Sequence, residues 1–128
     1  CIVAAVDAKK QNNSWKVFSH GGTKDTGINA MEWMLKLQSL GTGEILLTSM
    51  DKDGTKSGFD LDLLKSVTNI LSIPVIASGG VGNLDHFKDG VIIGGASALL
   101  AASVFHFNKF SITEVKKYLR KEGIKVRL

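Results

Sequence analysis

The sequence contains only one cysteine, one proline and one tyrosine in 128 residues. Because a single cysteine cannot form a disulfide within the chain, disulfide-rich secreted domains are excluded and a reducing compartment, the cytoplasm, is expected. Long apolar runs are also absent, since residues 90–107 are interrupted throughout by small residues. A bilayer span needs about 18 or more apolar residues in succession. We therefore expect no membrane-spanning segment and no membrane partner.

The excess of positive over negative charge is small. Sixteen Lys and Arg residues stand against twelve Asp and Glu, and the excess lies mainly in residues 116–127. These basic residues have no interleaved aromatic side chains and no nucleic-acid-reading motif, so a solvated helix face explains them and no nucleic-acid partner is expected. The three histidines lack the spacing of metal ligands and are interpreted as surface or loop-packing residues. No metal and no cofactor are expected.

Apolar runs and helical patterns alternate along the chain, which has the ordinary globular composition of 44% apolar and 22% charged residues. Buried strands are predicted at residues 1–6, 44–48, 73–77 and 97–102. Helices are predicted at residues 28–40 and after the N-cap residues Asp60, Asn83 and Ser111, the last within a Ser-Ile-Thr-Glu capping box. A small hairpin strand is predicted at residues 15–18, inside the first long connection. The pattern is typical of an α/β protein.

Four strand-then-helix units in succession predict a parallel sheet that is covered on both faces or closed into a barrel. Each predicted strand is followed by polar or glycine-rich residues, namely Asp7, residues 48–58, residues 78–80 and Ser103. These clusters are expected to share the rim where βα-barrel enzymes carry their active sites. Asp7 would then stand at the barrel mouth for proton transfer. The alternative is that Asp7 only accepts a hydrogen bond in a turn.

The loop TSMDKDGTKSGFD, residues 48–60, admits three interpretations. A calcium-binding loop of the EF-hand type needs glycine at its sixth position and glutamate at its twelfth, but counting from Asp51 these are Lys56 and Asp62. A plain turn explains the Asp-Gly pair within it. The length of the loop, its glycines and the similar clusters on the same rim favour the third interpretation, the mouth of an active site.

The stretch SGGVGN, residues 78–83, follows a strand and opens a helix, where free backbone amides and the helix dipole favour an anion. It is not a dinucleotide-binding fingerprint, because the third glycine and the later acidic residue are missing. A phosphate monoester is the better prediction, and residues 101–106 repeat the arrangement at the next strand. The alternative is that these small residues only let helices pack closely.

Four segments together closely resemble the cyclase subunit of imidazole glycerol phosphate synthase, an enzyme of histidine biosynthesis. They are VAAVDAK (3–9), GEILLTSMDKDGTKSGFD (43–60), PVIASGGVGN (74–83) and ALLAASVFH (98–106). The sister isomerase of the same pathway is less similar in the second and fourth segments. The resemblance implies a TIM (βα)8 barrel, of which residues 1–128 would form the C-terminal half, strands five to eight. A chain that begins inside an apolar run agrees with this expectation of a fragment.

The resemblance also implies a reaction and a set of site residues. The cyclase converts phosphoribulosyl-formimino aminoimidazole carboxamide ribotide and ammonia to imidazole glycerol phosphate and aminoimidazole carboxamide ribotide. Asp7 matches one of the two catalytic aspartates of the family, and the other lies on strand one, outside this sequence. The positions that match the phosphate site, where backbone amides would bind, are Gly54, Gly80, Val81, Ala102 and Ser103. Contacts to the bis-phosphorylated substrate are expected from Thr48, Asp53 and Ser78.

The resemblance further implies a glutaminase partner in a heterodimer, docked on the opposite face of the barrel and supplying ammonia through its interior. Glu44 matches one member of a charged ring at the barrel floor. The chain by itself is expected to be inactive and, because its sheet edges are open, to self-associate or pair with another half. Two alternatives stay open, namely the sister isomerase and a non-catalytic phosphate-binding half-barrel scaffold.

Overall fold

A six-stranded sheet with helices packed on it forms the part of the chain that the computed structural model describes, residues 2–127. The strands are β1 (Val3–Gln11), β2 (Ser14–Ser19), β3 (Lys24–Asn29), β4 (Glu44–Ser49), β5 (Val75–Ser78) and β6 (Ala98–Leu100). The helices are α1 (Ala30–Ser39), α2 (Leu61–Ile70), α3 (Leu84–Ile92), α4 (Ser103–His106) and α5 (Ile112–Lys121). Within residues 2–127 none of the helices has the length and apolar character needed to cross a bilayer.

The strand order is β3-β2-β1-β4-β5-β6. Strands β1, β4, β5 and β6 run parallel to one another, as predicted from the strand-then-helix repeats. Strands β2 and β3 form an antiparallel hairpin on the outer side of β1. The predicted hairpin strand at residues 15–18 is therefore confirmed as part of β2, while β3 was missed because its sequence, KDTGIN, has almost no apolar signal.

The first strand is longer than predicted. The apolar run ends at Val6, but the strand continues to Gln11 because residues 7–11 pair with β2. Asp7 therefore lies within β1, between Phe18 on β2 and Thr48 on β4, and the prediction that it follows the strand is wrong. Cys1, the first residue of the predicted strand, lies outside the described residues.

The helix boundaries follow local capping. The side chains of Asp60, Asn83 and Ser111 each accept a hydrogen bond from the backbone N–H three residues later, which confirms the three predicted N-caps. Helix α1 begins at Ala30 rather than at residue 28, because the Asn29 side chain caps it by accepting from the Glu32 N–H. The three predicted caps are interactions between residues close in sequence, which is why the sequence predicts them.

One face of the sheet packs on the helices and the other carries none. Alternate strand residues point to opposite faces, and the helix side holds the buried side chains Val6, Ala8, Ile45, Leu47, Val75 and Ala77. The opposite side, here called the open face, carries Val3, Ala5, Asp7, Glu44, Leu46, Thr48, Ile76, Ser78, Ala98 and Leu100, all exposed or half-buried. The predicted strands buried on both faces are thus buried on one face in residues 2–127.

Helices α3 and α5 are joined by a hydrogen bond from the Tyr118 hydroxyl to the Asp85 carboxylate. This bond, followed by desolvation and by the negative charge of Asp85, raises the pKa of Tyr118 from 10.0 to about 12. Unfolding removes these effects, so the unfolded chain loses the proton at lower pH than the folded one. The stabilisation is then complete below about pH 10 and is lost as the pH rises towards 12.

Since Tyr118 is the only tyrosine, alkaline phenolate absorbance reports on it alone. We expect a titration midpoint near pH 12 in the folded chain and near pH 10 in urea. Asp85→Asn should move the folded midpoint towards that of the unfolded chain, because the carboxylate charge is removed. A folded midpoint equal to the unfolded one in the unaltered chain would contradict the contact between the two helices.

Candidate functional site

Polar side chains from three parallel strands lie in one row near the C-terminal ends of the strands. The register pairs Asp7 with Thr48, Thr48 with Ser78, and Ser78 with Leu100. Registered residues of parallel strands point to the same face, so Asp7, Thr48 and Ser78 lie side by side on the open face. Each strand is about 4.8 Å from the next. The predicted rim is therefore present, with an apolar residue, Leu100, at its far end.

A cavity of about 150 Å³ lies at this rim, beside β5 and β6. Seven of the predicted site residues line it, namely Asp53, Gly54, Ser78, Gly80, Val81, Ala102 and Ser103. Lys56, Gly79 and Ala101, which lie within the predicted segments 48–58, 78–83 and 101–106, also line it, as does Leu100. Three of the four predicted clusters thus meet at one cavity, while Asp7 and Thr48 lie further along the row.

The loop after β4 and the loop after β5 touch through backbone atoms. The Gly58 N–H donates to the Gly80 carbonyl oxygen at 2.7 Å. Gly80 has φ +108°, and a Cβ at this position would overlap the Gly58 carbonyl. A Cβ on Gly79 would come within 2.9 Å of the Ser49 carbonyl oxygen. The glycines therefore permit close packing, as the alternative interpretation held, but of loop on loop rather than of helix on helix.

Backbone N–H groups without a protein acceptor surround the cavity. Within residues 2–127 none of the amides of Gly54, Gly80, Val81 and Ser103 donates to another protein group. Gly80 and Val81 are buried, and buried backbone N–H groups are nearly always paired. Because both residues line the cavity, an occupant of the cavity is the available acceptor. Such a cluster of amides suits an anion with several oxygens.

The loop after β4 is anchored by a buried hydroxyl. Ser49, only 2% exposed, donates from Oγ to Asp60 Oδ2 at 2.9 Å and accepts from the Lys52 N–H at 3.3 Å. The other oxygen of Asp60 accepts from the Leu63 N–H at the start of α2. Asp60 thus caps a helix and holds the loop that carries Asp53 and the adjacent glycine.

Asp60→Ala should lower the free energy of unfolding by about 2 to 3 kcal/mol, because it removes an N-cap and leaves the buried Ser49 hydroxyl without its acceptor. Asp60→Asn is the matched control, since the asparagine oxygen can cap the helix as aspartate does and its amide N–H can donate to the Ser49 hydroxyl oxygen, which keeps a bond between the two side chains. We expect it to cost less than about 1 kcal/mol in urea unfolding. Equal losses in the two variants would mean that the carboxylate charge, rather than the hydrogen bonds, anchors the loop.

Asp7 and Glu44 occupy opposite ends of the open face. Asp7 is half-buried, and its carboxylate makes no hydrogen bond to another side chain within residues 2–127. Two residues further along β1, the Lys9 ammonium lies 5.6 Å from the centre of the Phe18 ring. Glu44 begins β4, roughly 13 Å along the strand from Thr48 at about 3.3 Å per residue. Glu44 therefore belongs to the end of the sheet away from the cavity.

Two further observations on the described residues help to locate the site. No group of three or more His, Cys, Asp or Glu side chains is arranged to hold a metal ion in residues 2–127. A larger cavity of about 300 Å³ lies between α3, β6 and α5, but its lining is mostly apolar and includes none of the predicted site residues. The polar chemistry is concentrated at the smaller cavity and along the row from Asp7 to Ser78.

Two residues that are not among the predicted site residues contact the loop after β5. The His86 Nδ1 atom accepts from the Gly82 N–H at 2.9 Å, and the Lys109 ammonium donates to the Gly82 carbonyl oxygen. His86 is thus a loop-packing residue, as one of the two interpretations of the histidines held. Its position three residues after the Asn83 cap could have indicated a capping role. Lys109 is 27 residues away from Gly82 and leaves no local signal in the sequence.

The sequence was also compared with models of known protein families. The model described as "Histidine biosynthesis protein" matches residues 1–111, which include β1 to β6, α4 and every predicted site residue. The proteins of this family are enzymes of histidine biosynthesis with a βα-barrel type of fold. The match supports the α/β class and the biosynthetic pathway that the sequence segments predicted.

Proposed function

Because the chain belongs to the histidine biosynthesis protein family, we propose that it is the C-terminal half of a (βα)8 barrel, strands five to eight of the cyclase subunit of imidazole glycerol phosphate synthase. Four parallel strands with helices on one side and an uncovered open face support this arrangement. The edge of β6 has no partner strand in residues 2–127, and residues 3–6 of β1 pair only with β4. Strands of a second half would pair at these two edges and enclose the open face.

The cavity beside β5 and β6 is proposed to bind one phosphate of the substrate. The single observation that carries this proposal is the set of unpaired amides at Gly54, Gly80, Val81 and Ser103 around one cavity. Ala102 leaves space there because its side chain is small. Phosphate oxygens accept several N–H bonds at once, so backbone amides bind them without requiring a charged side chain.

The reaction is proposed to take place along the row on the open face. Asp7 is assigned as one of the general acid/base groups, and Thr48, Asp53 and Ser78 as contacts to the substrate. The carboxylate of Asp7 is half-buried and points to the face that a complete barrel would enclose. A second aspartate is assigned to the first strand of the barrel, so this chain by itself should be inactive.

Ammonia is proposed to come from a glutaminase partner that docks at the end of the barrel marked by Glu44. Glu44 is half-buried at the start of β4, on the open face and away from the cavity. A carboxylate there would line the entrance to the barrel interior. The isolated chain is proposed to self-associate, because its apolar open face and its free strand edges lack a cover.

Two measurements test these assignments. Calorimetric titration with inorganic phosphate should show binding to the chain, and the absence of binding would overturn the phosphate site. Mixing the chain with the N-terminal half of a cyclase barrel should then restore consumption of the formimino ribotide in the presence of free ammonia. The family also includes an isomerase, so isomerisation of the phosphoribosyl ribotide instead would assign the chain to that enzyme. Phosphate binding without either activity would indicate a scaffold.

A further inference from the structure

The peptide units on either side of Gly82 are held by side chains from two different elements. The Gly82 N–H donates to Nδ1 of His86 on α3, at 2.9 Å. The Gly82 carbonyl oxygen accepts from the ammonium of Lys109, which lies between α4 and α5. A Cβ on Gly82 would overlap the Lys56 carbonyl, so the Lys56 backbone also packs directly against Gly82. Gly82 directly follows Gly80 and Val81, which line the cavity and whose amides donate to no protein group.

His86 links both loops that line the cavity. Besides the Gly82 N–H, its Nδ1 accepts from the Asn83 N–H at 3.2 Å. Two donors on one nitrogen require the neutral ring with its proton on Nε2. The edge of the ring lies against Gly58, since a Cβ built on that residue would be 3.3 Å from His86 Cδ2. Gly58 in turn donates to the Gly80 carbonyl oxygen, so the imidazole contacts both sides of the loop-to-loop junction.

Lys109 reaches the loop from the opposite direction. The chain turns after α4 at Asn108, which has φ +56°, and the Lys109 N–H donates to the Val104 carbonyl oxygen at 2.8 Å. Its ammonium lies 5.5 Å from the centre of the Phe110 ring and donates to Gly82. The Phe110 ring and the Gly82 carbonyl oxygen thus fix the Lys109 side chain, and its ammonium places a positive charge beside the loop that borders the cavity.

We propose that His86 and Lys109 are positioning residues that hold the Gly82 backbone, so that the amides of Gly80 and Val81 stay directed at a bound phosphate. This inference rests on the proposed phosphate site. The segment 79–82 contains three glycines and is flexible by composition, so an unheld loop would lose conformational entropy on binding. The two hydrogen bonds to Gly82 restrict the loop in the unliganded protein, which reduces the conformational entropy lost when phosphate binds.

The test compares phosphate affinity by calorimetry with amide hydrogen exchange over residues 79–83. His86→Leu removes the acceptor and should weaken phosphate binding about tenfold, with faster exchange in the loop. His86→Gln supplies an acceptor that can return to the N-cap backbone, so its affinity should stay within about twofold of the unaltered chain. A role in packing alone would not distinguish glutamine from leucine in this way.

Lys109→Met should weaken phosphate binding about tenfold, whereas Lys65→Met, which removes an equal charge from an exposed site on α2, should not. Lys109 is exposed, so its variant tests the inference even if His86→Leu does not fold. Failure of the unaltered chain to bind phosphate would overturn the phosphate site and the positioning role with it. Phosphate binding that is equal in all variants, or loop exchange that does not change, would overturn the positioning role alone.

Discussion

Gly80→Ala is expected to lower the free energy of unfolding by about 3 kcal/mol or more and to abolish phosphate binding. Two costs combine, because the residue has φ +108° and because a Cβ would overlap the Gly58 carbonyl. A left-handed backbone at a residue other than glycine costs about 1 to 3 kcal/mol, and a steric overlap in a packed region costs a similar amount. Relief of the overlap must move one loop away from the other, which displaces the amides at the cavity.

Gly41→Ala is the matched control. Gly41 follows α1, has a similar φ of +96°, and would place a Cβ in open space. Only the backbone cost applies there, so urea unfolding should show a loss of about 1 to 2 kcal/mol, and phosphate binding should be unchanged. Similar losses of stability and unchanged phosphate binding in both variants would mean that the contact between the loops does not shape the cavity.

Asp7→Asn is expected to reduce turnover of the reassembled barrel by about 10² to 10⁴, the usual contribution of a general acid/base group. Phosphate affinity should remain, because Asp7 lies outside the cavity lining. Stability should change little, because the Asp7 carboxylate forms no hydrogen bond to another side chain in residues 2–127 that the substitution would break. Steady-state kinetics, phosphate titration and urea unfolding measure the three quantities separately.

Asp62→Asn provides the control for the loss of one carboxylate. Asp62 is exposed in the first turn of α2, on the helix side of the sheet. Turnover should be unaffected by this change. Retention of full turnover in Asp7→Asn would remove Asp7 from the proton transfer and favour Asp53 or a group of the other half. Full activity of the unaltered chain without the N-terminal half would refute the assignment of two aspartates.

Features set by neighbouring residues were predictable from the sequence. The caps at Asp60, Asn83 and Ser111 depend on bonds that span three residues, and the structure confirms all three. Strand β4 was predicted nearly to its ends, because its core-facing residues, Ile45 and Leu47, are strongly apolar. The polar clusters after β4, β5 and β6 were predicted to share a rim because parallel strands end at the same edge, and the cavity lining agrees.

Features that depend on distant pairing were not predictable. The extension of β1 past Val6 and the whole of β3 exist because β2 pairs with both, and their own residues are mostly polar. Strand β6 is shorter than its apolar run because a partner lies on one side only. The assignments of Asp7, Thr48 and Glu44 to a reaction stay predictions.

The sequence by itself determined the α/β class, the helix caps and the residue types at the rim, because these depend on local hydrogen bonding and on the period of apolar residues. Only the tertiary structure decided how the rim is built. The contact of Gly58 with Gly80, and the hold on Gly82 by His86 and Lys109, join segments that are distant in sequence. Such contacts form only when parallel strands set neighbouring loops side by side, since the spacing of the strands, rather than any local preference, brings the backbones together.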